Sequence, residues 1–313
     1  MIKCNHRCDF VPDERYLASH PGAKASRCGN LVSGSNPNER CHLHGGGGRQ
    51  PERAAARPGS TAPSGALPDV ESVLGSSEPI DEVVAAAERD PEFAAVLEAS
   101  ARVQQIVPEA AVVGGTAAAL WAGHRLSYDA AHVIGDLKDR FEMVLDALEG
   151  DAAWATNRML PGKVILGNLG GVEVGVRQMR RRVPLEVVEL TLSSGMTVRV
   201  PTPAETLRIK AFLVVRRNQT RDYLDVAALS DWMGVGEAAE VLRAMDRYYA
   251  DQMESEDGVT SQLVRQLSDP RPVDTSVTRQ LARYKKLDRR WARWSDVVKV
   301  LRSVAQAMVE GER

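Results

Sequence analysis

The sequence predicts an α+β fold, on two observations. Short β-prone runs crowd between residues 111 and 200, and helical periodicity takes over after Pro203 and continues to the end of the chain. Strands gathered in one stretch and helices in another favour a mixed sheet backed by helices. With 313 residues, 43% of them hydrophobic, the chain is long enough for about two domains and a substantial core.

Four cysteines, Cys4, Cys8, Cys28 and Cys41, all lie at the start, interleaved with His6, His42 and His44. Met1 to His6 lacks the apolar core of a secretion signal, and no apolar run approaches the ~18 residues of a membrane span. The expectation is a cytoplasmic protein with no membrane partner, where disulfides are rare. Thiolates and imidazoles gathered in a reducing compartment suit structural zinc. The segment from Cys28 through Cys41-His42-Leu43-His44-Gly45-Gly46 resembles a small zinc module common in phage-associated proteins. Its ligands would be Cys8, Cys28 and Cys41, with His44 or Cys4 as the fourth. Residues 1–49 are read as this module. Residues 50–79, rich in Pro, Gly and Ser, are read as a flexible linker that cannot bury enough apolar surface to fold.

The region 80–200 is read as the core. Val83, Val84, Phe93, Val96, Leu97 and Val103 recur at helical spacing, with Asp90-Pro91 dividing two helices. Strands are expected at 111–113, 132–135, 163–166, 172–176, 185–192 and 196–200. A helix is expected over 137–148, and Ser193-Ser194-Gly195 reads as a hairpin turn. Residues 201–313 are read as a helical region, broken near Gly234-Val235-Gly236 and Asp269-Pro270-Arg271-Pro272.

Two blocks carry the chemistry. In the first, Val112-Val113 leads into Gly114-Gly115 and a small-residue helix expected over Thr116 to Ala122, then Ser127-Tyr128-Asp129. Glycines at a strand-to-helix turn let backbone N–H groups approach a phosphate, although a lone Gly-Gly often only closes a joint. A carboxylate soon after could hold a divalent ion against that phosphate, or simply cap a turn. The second block holds Lys210, Arg216, Arg217, Arg221, Asp222 and Asp225 on consecutive helices. Lys210, Val214 and Arg217 share a face, and Arg221 and Asp225 are spaced to pair. His124 and His132 read as structural.

Together these blocks resemble the AbiEii/AbiGii-type nucleotidyltransferase toxins of bacterial type IV toxin–antitoxin systems, over roughly residues 110 to 230. The resemblance implies a nucleotidyltransferase-like sheet and transfer of a nucleoside monophosphate from a triphosphate to an acceptor such as a tRNA 3′ end. It also implies a magnesium ion, a cognate antitoxin and a role in toxin–antitoxin or phage-defence systems. By position, Gly114, Gly115, Thr116, Ser127, Arg217 and Arg221 would bind substrate. Asp129 would bind the metal, and Lys210 and Asp225 would complete the catalytic set. The second aspartate expected two residues after Asp129 is Ala131, which puts activity in doubt. Residues two apart on a strand share a face, so Ala131 removes half of a carboxylate clamp. Glu173 is the candidate compensating acid. The alternative is a degenerate fold that binds nucleic acid or an antitoxin without turnover.

The net charge of −2 restricts nucleic-acid contact to local patches. Two stand out: Arg177 with Arg180, Arg181 and Arg182, and the stretch Arg279 to Arg293 interleaved with Tyr284 and Trp291, ending beside Trp294. Each reads equally as a solvated face.

Overall fold

The computed structural model describes residues 80–252, 257–284 and 286–311, with the strands β1 (Ile2–Lys3) and β2 (Leu31–Val32). These two strands pair antiparallel within one compact unit, Met1–Ser64; the second unit is Gly65–Arg313. The five residues read as zinc ligands, Cys4, Cys8, Cys28, Cys41 and His44, lie outside the described residues.

The second unit opens with α1 (Ile80–Glu88) and α2 (Pro91–Ile106). Asp90 separates them because its carboxylate accepts from the N–H groups of Glu92 and Phe93, while Pro91 occupies a first-turn position that needs no donor. Strand β3 (Ala111–Val113) runs directly into α3 (Gly114–Ala122), which stops at Gly123 in the left-handed region, φ 59°. Then come β4 (Asp129–Ile134), α4 (Leu137–Glu149), β5 (Trp154–Leu160), β6 (Val164–Leu169) and β7 (Val172–Gln178). A separate hairpin follows, β8 (Val187–Thr191) and β9 (Thr197–Pro201), turning at Gly195 with φ 83°.

The five-stranded sheet has the order β3-β4-β7-β6-β5. It is mixed: β4 and β7 are parallel, and the other pairings are antiparallel. Ala130, Ile134, Val174 and Val176 are buried on one face, where α2 packs. The opposite face presents Asp129, Ala131, Glu173 and Arg177, exposed or half-buried. This alternation is what leaves a face free for chemistry.

The helical remainder begins at α5 (Pro203–Arg217), capped by Thr202, whose hydroxyl accepts from the Glu205 N–H. Asn218 ends it in the left-handed region, φ 51°, and α6 (Thr220–Met233) follows at once. Then come α7 (Val235–Arg243), α8 (Met245–Tyr249), α9 (Val259–Ser268), the short α10 (Thr275–Thr278) and α11 (Trp294–Glu310). One hydrophobic core runs from Val83 to Met308, so residues before and after 200 share it. The Trp121 indole donates to the Pro201 carbonyl at 2.9 Å and ties α3 to β9.

Three departures from the sequence reading have local causes. β4 starts at Asp129 rather than 132, because pairing with β7 carries the strand back to Glu173. α3 starts at Gly114 rather than 116. β5 was not expected, since Ala155 to Leu160 is largely exposed and shows no alternation; pairing with β6 makes it a strand at the sheet edge.

His132, on the core face of β4, is fully buried, and burial depresses its pKa to about 4. The folded state therefore refuses a proton that the unfolded chain takes near pH 6.5, so stability is lost as pH falls through that window. Between pH 6.5 and 4 this single group should remove about 3 kcal/mol. An NMR titration of the His132 ring checks it: a midpoint near 6.5 in the folded protein would contradict the assignment.

Candidate functional site

The site is built outward from the joint between β3 and α3. Gly114 takes φ 76°, open to glycine at little cost. A Cβ on Gly115 would lie 2.7 Å from Ser127 Oγ and 3.0 Å from Arg125 Nη2, so both side chains rest directly on this backbone. A Cβ on Gly114 would sit 3.6 Å from the Ala131 methyl. Thr116 Oγ1 donates to the Asp129 carbonyl at 2.6 Å, and Ser127 Oγ donates to Asp129 Oδ1 at 3.0 Å. The Gly-Gly-Thr turn and the Ser-x-Asp segment are therefore one structure.

Asp129 and Glu173 are register partners on parallel strands, and Glu173 is also the partner of Asn168 on β6. Adjacent strands lie about 4.8 Å apart, and partnered side chains share a face. The second carboxylate thus sits across the sheet from Asp129, while Ala131 faces Gly175. Among the described residues, no group of three or more His, Cys, Asp or Glu gathers to hold a metal alone. Two hard carboxylates fit magnesium, which commonly takes one or two protein carboxylates plus water and substrate phosphates.

Beneath lies a buried ion cluster. Asp225 is fully buried on α6. Its Oδ1 accepts from Arg125 Nε at 2.8 Å and lies 2.8 Å from His124 Nε2. Its Oδ2 accepts from Arg125 Nη2 at 2.9 Å and from Lys210 Nζ at 2.6 Å. Burial alone would raise the Asp225 pKa, but Arg125, Lys210 and His124 hold it well below the ordinary carboxylate value. The His124 pKa is pushed down by burial, against the pull of Asp225. Asp222 Oδ1 lies 3.5 Å from Lys210 Nζ, and burial raises the Asp222 pKa.

Arg217 and Arg221 flank this cluster. The Arg217 pKa is lowered, first by desolvation and then by its like-charged neighbours Arg221, Arg177 and Arg180, with Asp222 opposing. Residues far apart in sequence are therefore within electrostatic reach of Arg217, and none of these four arginines forms a salt bridge with a described residue. Arg221 leaves Asp225 alone despite the helical spacing, because Asp225 is turned toward α5 and the loop before β4. Four other basic residues of the two patches are paired. Arg181 is buried against Glu205, and Lys286, Arg290 and Arg293 pair with Asp90, Asp231 and Asp296.

Arg125 escaped the sequence reading, yet its guanidinium joins Gly115 to Asp225 and lies within electrostatic reach of Asp129. The available signal was an arginine two residues before Ser127, just past the glycine that ends α3. Gly115, Ser127, Asp129, Arg125, Asp225 and Lys210 thus form one connected chain of contacts, with Glu173 beside Asp129.

No model of a known protein family matches the chain. A 134-residue segment is 40% identical to the heme uptake protein MmpL11 of Mycobacterium tuberculosis, covering 43% of this chain and 13% of that protein. A 132-residue segment is 40% identical to the mycolic acid-containing lipids exporter MmpL11 of Mycolicibacterium smegmatis, covering 42% and 13%. The chain thus spans 13% of the length of the curated relatives it matches. Among the described residues, no helix is long and apolar enough to cross a membrane. Of solved structures, MenT4, a nucleotidyltransferase toxin from Mycobacterium tuberculosis, aligns with a TM-score of 0.45 and 16% identity, over 75% of this chain and 90% of that one. An antigenic nucleotidyltransferase-like protein from Paracoccidioides brasiliensis aligns with a TM-score of 0.34 and 16% identity, over 56% and 93%.

The two kinds of carboxylate should behave differently in urea unfolding. Asp225→Ala leaves buried cations without a counter-charge and should cost about 3–5 kcal/mol. Asp129→Ala and Glu173→Gln, at exposed positions, should each stay within about 0.5 kcal/mol of the parent. Equal losses at all three positions would mean that Asp129 and Glu173 are structural.

Proposed function

We propose that this protein is a nucleotidyltransferase that moves a nucleoside monophosphate from a triphosphate to the terminal hydroxyl of an RNA acceptor, as a toxin of the type IV toxin–antitoxin kind. The observation that carries the reading is the pairing of Asp129 with Glu173 on one open sheet face, linked through Gly115 and Arg125 to Lys210. An anion-binding turn, two hard carboxylates and buried cations are what transfer to and from phosphate requires.

In this reading the backbone at Gly114, Gly115 and Thr116 cradles phosphate, and Ser127 keeps the Asp129 carboxylate aimed. Asp129 and Glu173 would hold a magnesium ion, which neutralises phosphate charge and assists deprotonation of the acceptor when bound. The acceptor oxygen attacks the α-phosphorus; that P–O bond forms as the bond to the bridging oxygen breaks, and pyrophosphate leaves. The hydroxyl proton passes to a carboxylate on the sheet face. Lys210 and Arg125 stabilise the negative charge developing on the phosphates, and Asp225 positions both cations rather than touching substrate. The arginines Arg177, Arg180, Arg217 and Arg221 then hold the outer phosphates or the acceptor strand. A zinc module in residues 1–49 and a cognate antitoxin belong to the same proposal. The segment shared with MmpL11 is too small a part of those proteins to bring their transport with it.

The second reading is a fold that binds RNA or an antitoxin without turnover, favoured by Ala131, which leaves one acid fewer on β4 than the resemblance implies. One experiment separates them: incubation with each α-labelled triphosphate, magnesium and total RNA. Slow label transfer is expected. It should be abolished by Asp129→Ala, reduced at least a hundredfold by Lys210→Ala (about 3 kcal/mol, in the range of a lost oxyanion-type donor), and raised by Ala131→Asp. Triphosphate binding without transfer in any variant would favour the binding module. No triphosphate binding at all would end the nucleotidyltransferase reading.

A further inference from the structure

Arg177 stands apart from the other arginines gathered here. Arg180 lies after the end of β7, and Arg217 and Arg221 sit on α5 and α6, but Arg177 is on β7 itself, on the open face that carries Glu173 and Asp129. Strand register lays that face out in rows. Asp129 and Glu173 form one, with Asn168 beside them on β6. Ala131, Gly175 and Leu166 form the next, and Val133, Arg177 and Val164 the one after. Residues two apart on a strand stand about 6.8 Å from each other, yet a Cβ on Gly175 would lie only 3.9 Å from Arg177 Nε. The side chain therefore leans back over Gly175, toward the row of acids. The same Cβ would lie 2.9 Å from Leu166 Cδ2, so an apolar group fills the β6 side of this spot. The β4 side carries only the Ala131 methyl, against which Gly114 of the Gly-Gly-Thr turn rests. The guanidinium leans toward two carboxylates without pairing with either: among the described residues Arg177 forms no salt bridge.

We propose that Arg177 is a catalytic residue of the transfer reaction, binding the reacting phosphate from the side opposite the Asp129–Glu173 pair, so that this phosphate is held between a magnesium ion and a guanidinium. The proposal rests on the nucleotidyltransferase reading and deepens it, leaving the outer phosphates and the acceptor strand to Arg180, Arg217 and Arg221. With Ala131 on β4 the sheet face has one acid fewer to hold cations, so positive charge beside the reacting phosphate has to come from a side chain. A guanidinium suits this place because its planar fork donates to two phosphate oxygens at once. The bond from the acceptor oxygen to the α-phosphorus forms as the bond to the bridging oxygen breaks, and pyrophosphate leaves with that electron pair. The acceptor proton goes to a carboxylate on the sheet face. Arg177 exchanges no proton; it stabilises the charge on the non-bridging oxygens throughout.

The test is the label-transfer assay with magnesium and α-labelled triphosphate, run on the parent, Arg177→Ala and Arg177→Lys, each also in an Ala131→Asp background. Arg177→Ala should lower kcat about a hundredfold, the effect of losing one preorganised donor, with KM for the triphosphate within about threefold of the parent and the urea midpoint unchanged. Arg177→Lys should recover only part of the loss, because the charge is kept and the fork is not. In the Ala131→Asp background, where a second acid on β4 can hold a cation, removing Arg177 should cost less than about tenfold. An unchanged kcat in Arg177→Ala would overturn the proposal, as would a raised KM with kcat intact, which is the mark of an arginine that only binds the triphosphate. An equal loss in both backgrounds would show that Arg177 does not stand in for the charge a second acid would hold, and would overturn it too. In each of these cases the parent still transfers label and the nucleotidyltransferase reading stands. A parent that transfers none removes that reading and this inference together.

Discussion

The Asp225 carboxylate is the interaction on which the rest of the site depends. It is fully buried on α6 and is held by Arg125 from the loop before β4 and by Lys210 from α5, with His124 against the same oxygen as Arg125 Nε. A charge taken out of water at such cost persists only when its partners are well placed. Once they are placed, three separate segments of chain are held in one geometry. Arg125 in turn lies against Gly115, so the orientation of the Gly-Gly-Thr turn is tied to a residue more than a hundred positions away.

The cluster also explains the electrostatic character of the face above it. Lys210 and Arg125 are offset by Asp225, while Asp222 is pushed toward its neutral form by burial. To this is added Arg217, whose pKa is lowered by desolvation and by the nearby Arg221, Arg177 and Arg180, with Asp222 opposing. A chain whose net charge is close to zero thus concentrates positive potential in one place, which is where a polyanionic ligand would be drawn. In the C-terminal stretch Lys286, Arg290 and Arg293 are offset by Asp90, Asp231 and Asp296, so density of Lys and Arg in sequence is a poor guide to where such potential accumulates.

The sheet contributes something different, a rigid spacing of acids. Asp129 and Glu173 lie 44 positions apart yet become neighbours because β4 and β7 are parallel and in register there. The crossover through α4, β5 and β6 makes that pairing possible, since parallel strands cannot be joined by a tight turn. Ala131 occupies the place where a second acid along the strand would stand, and Glu173 offers one across it.

The sequence alone determined the fold class and most elements, and it named most residues of the candidate site. Apolar spacing marked α1, α2 and α4, Asp90-Pro91 and Pro203 marked helix starts, and the glycine pair marked the strand-to-helix turn beside Ser127 and Asp129, because these signals are local and chemical. Tertiary structure decided the rest. The edge strand β5 exists through its pairing with β6 and not through its own pattern. Asp225 could have paired with Arg221 one helical turn away, but packing turned it toward Arg125 and Lys210. Arg177 and Arg180 come within electrostatic reach of Arg217 only in the folded chain. Each of these depends on which surfaces come together across long stretches of chain, and periodicity within a segment carries no information about that.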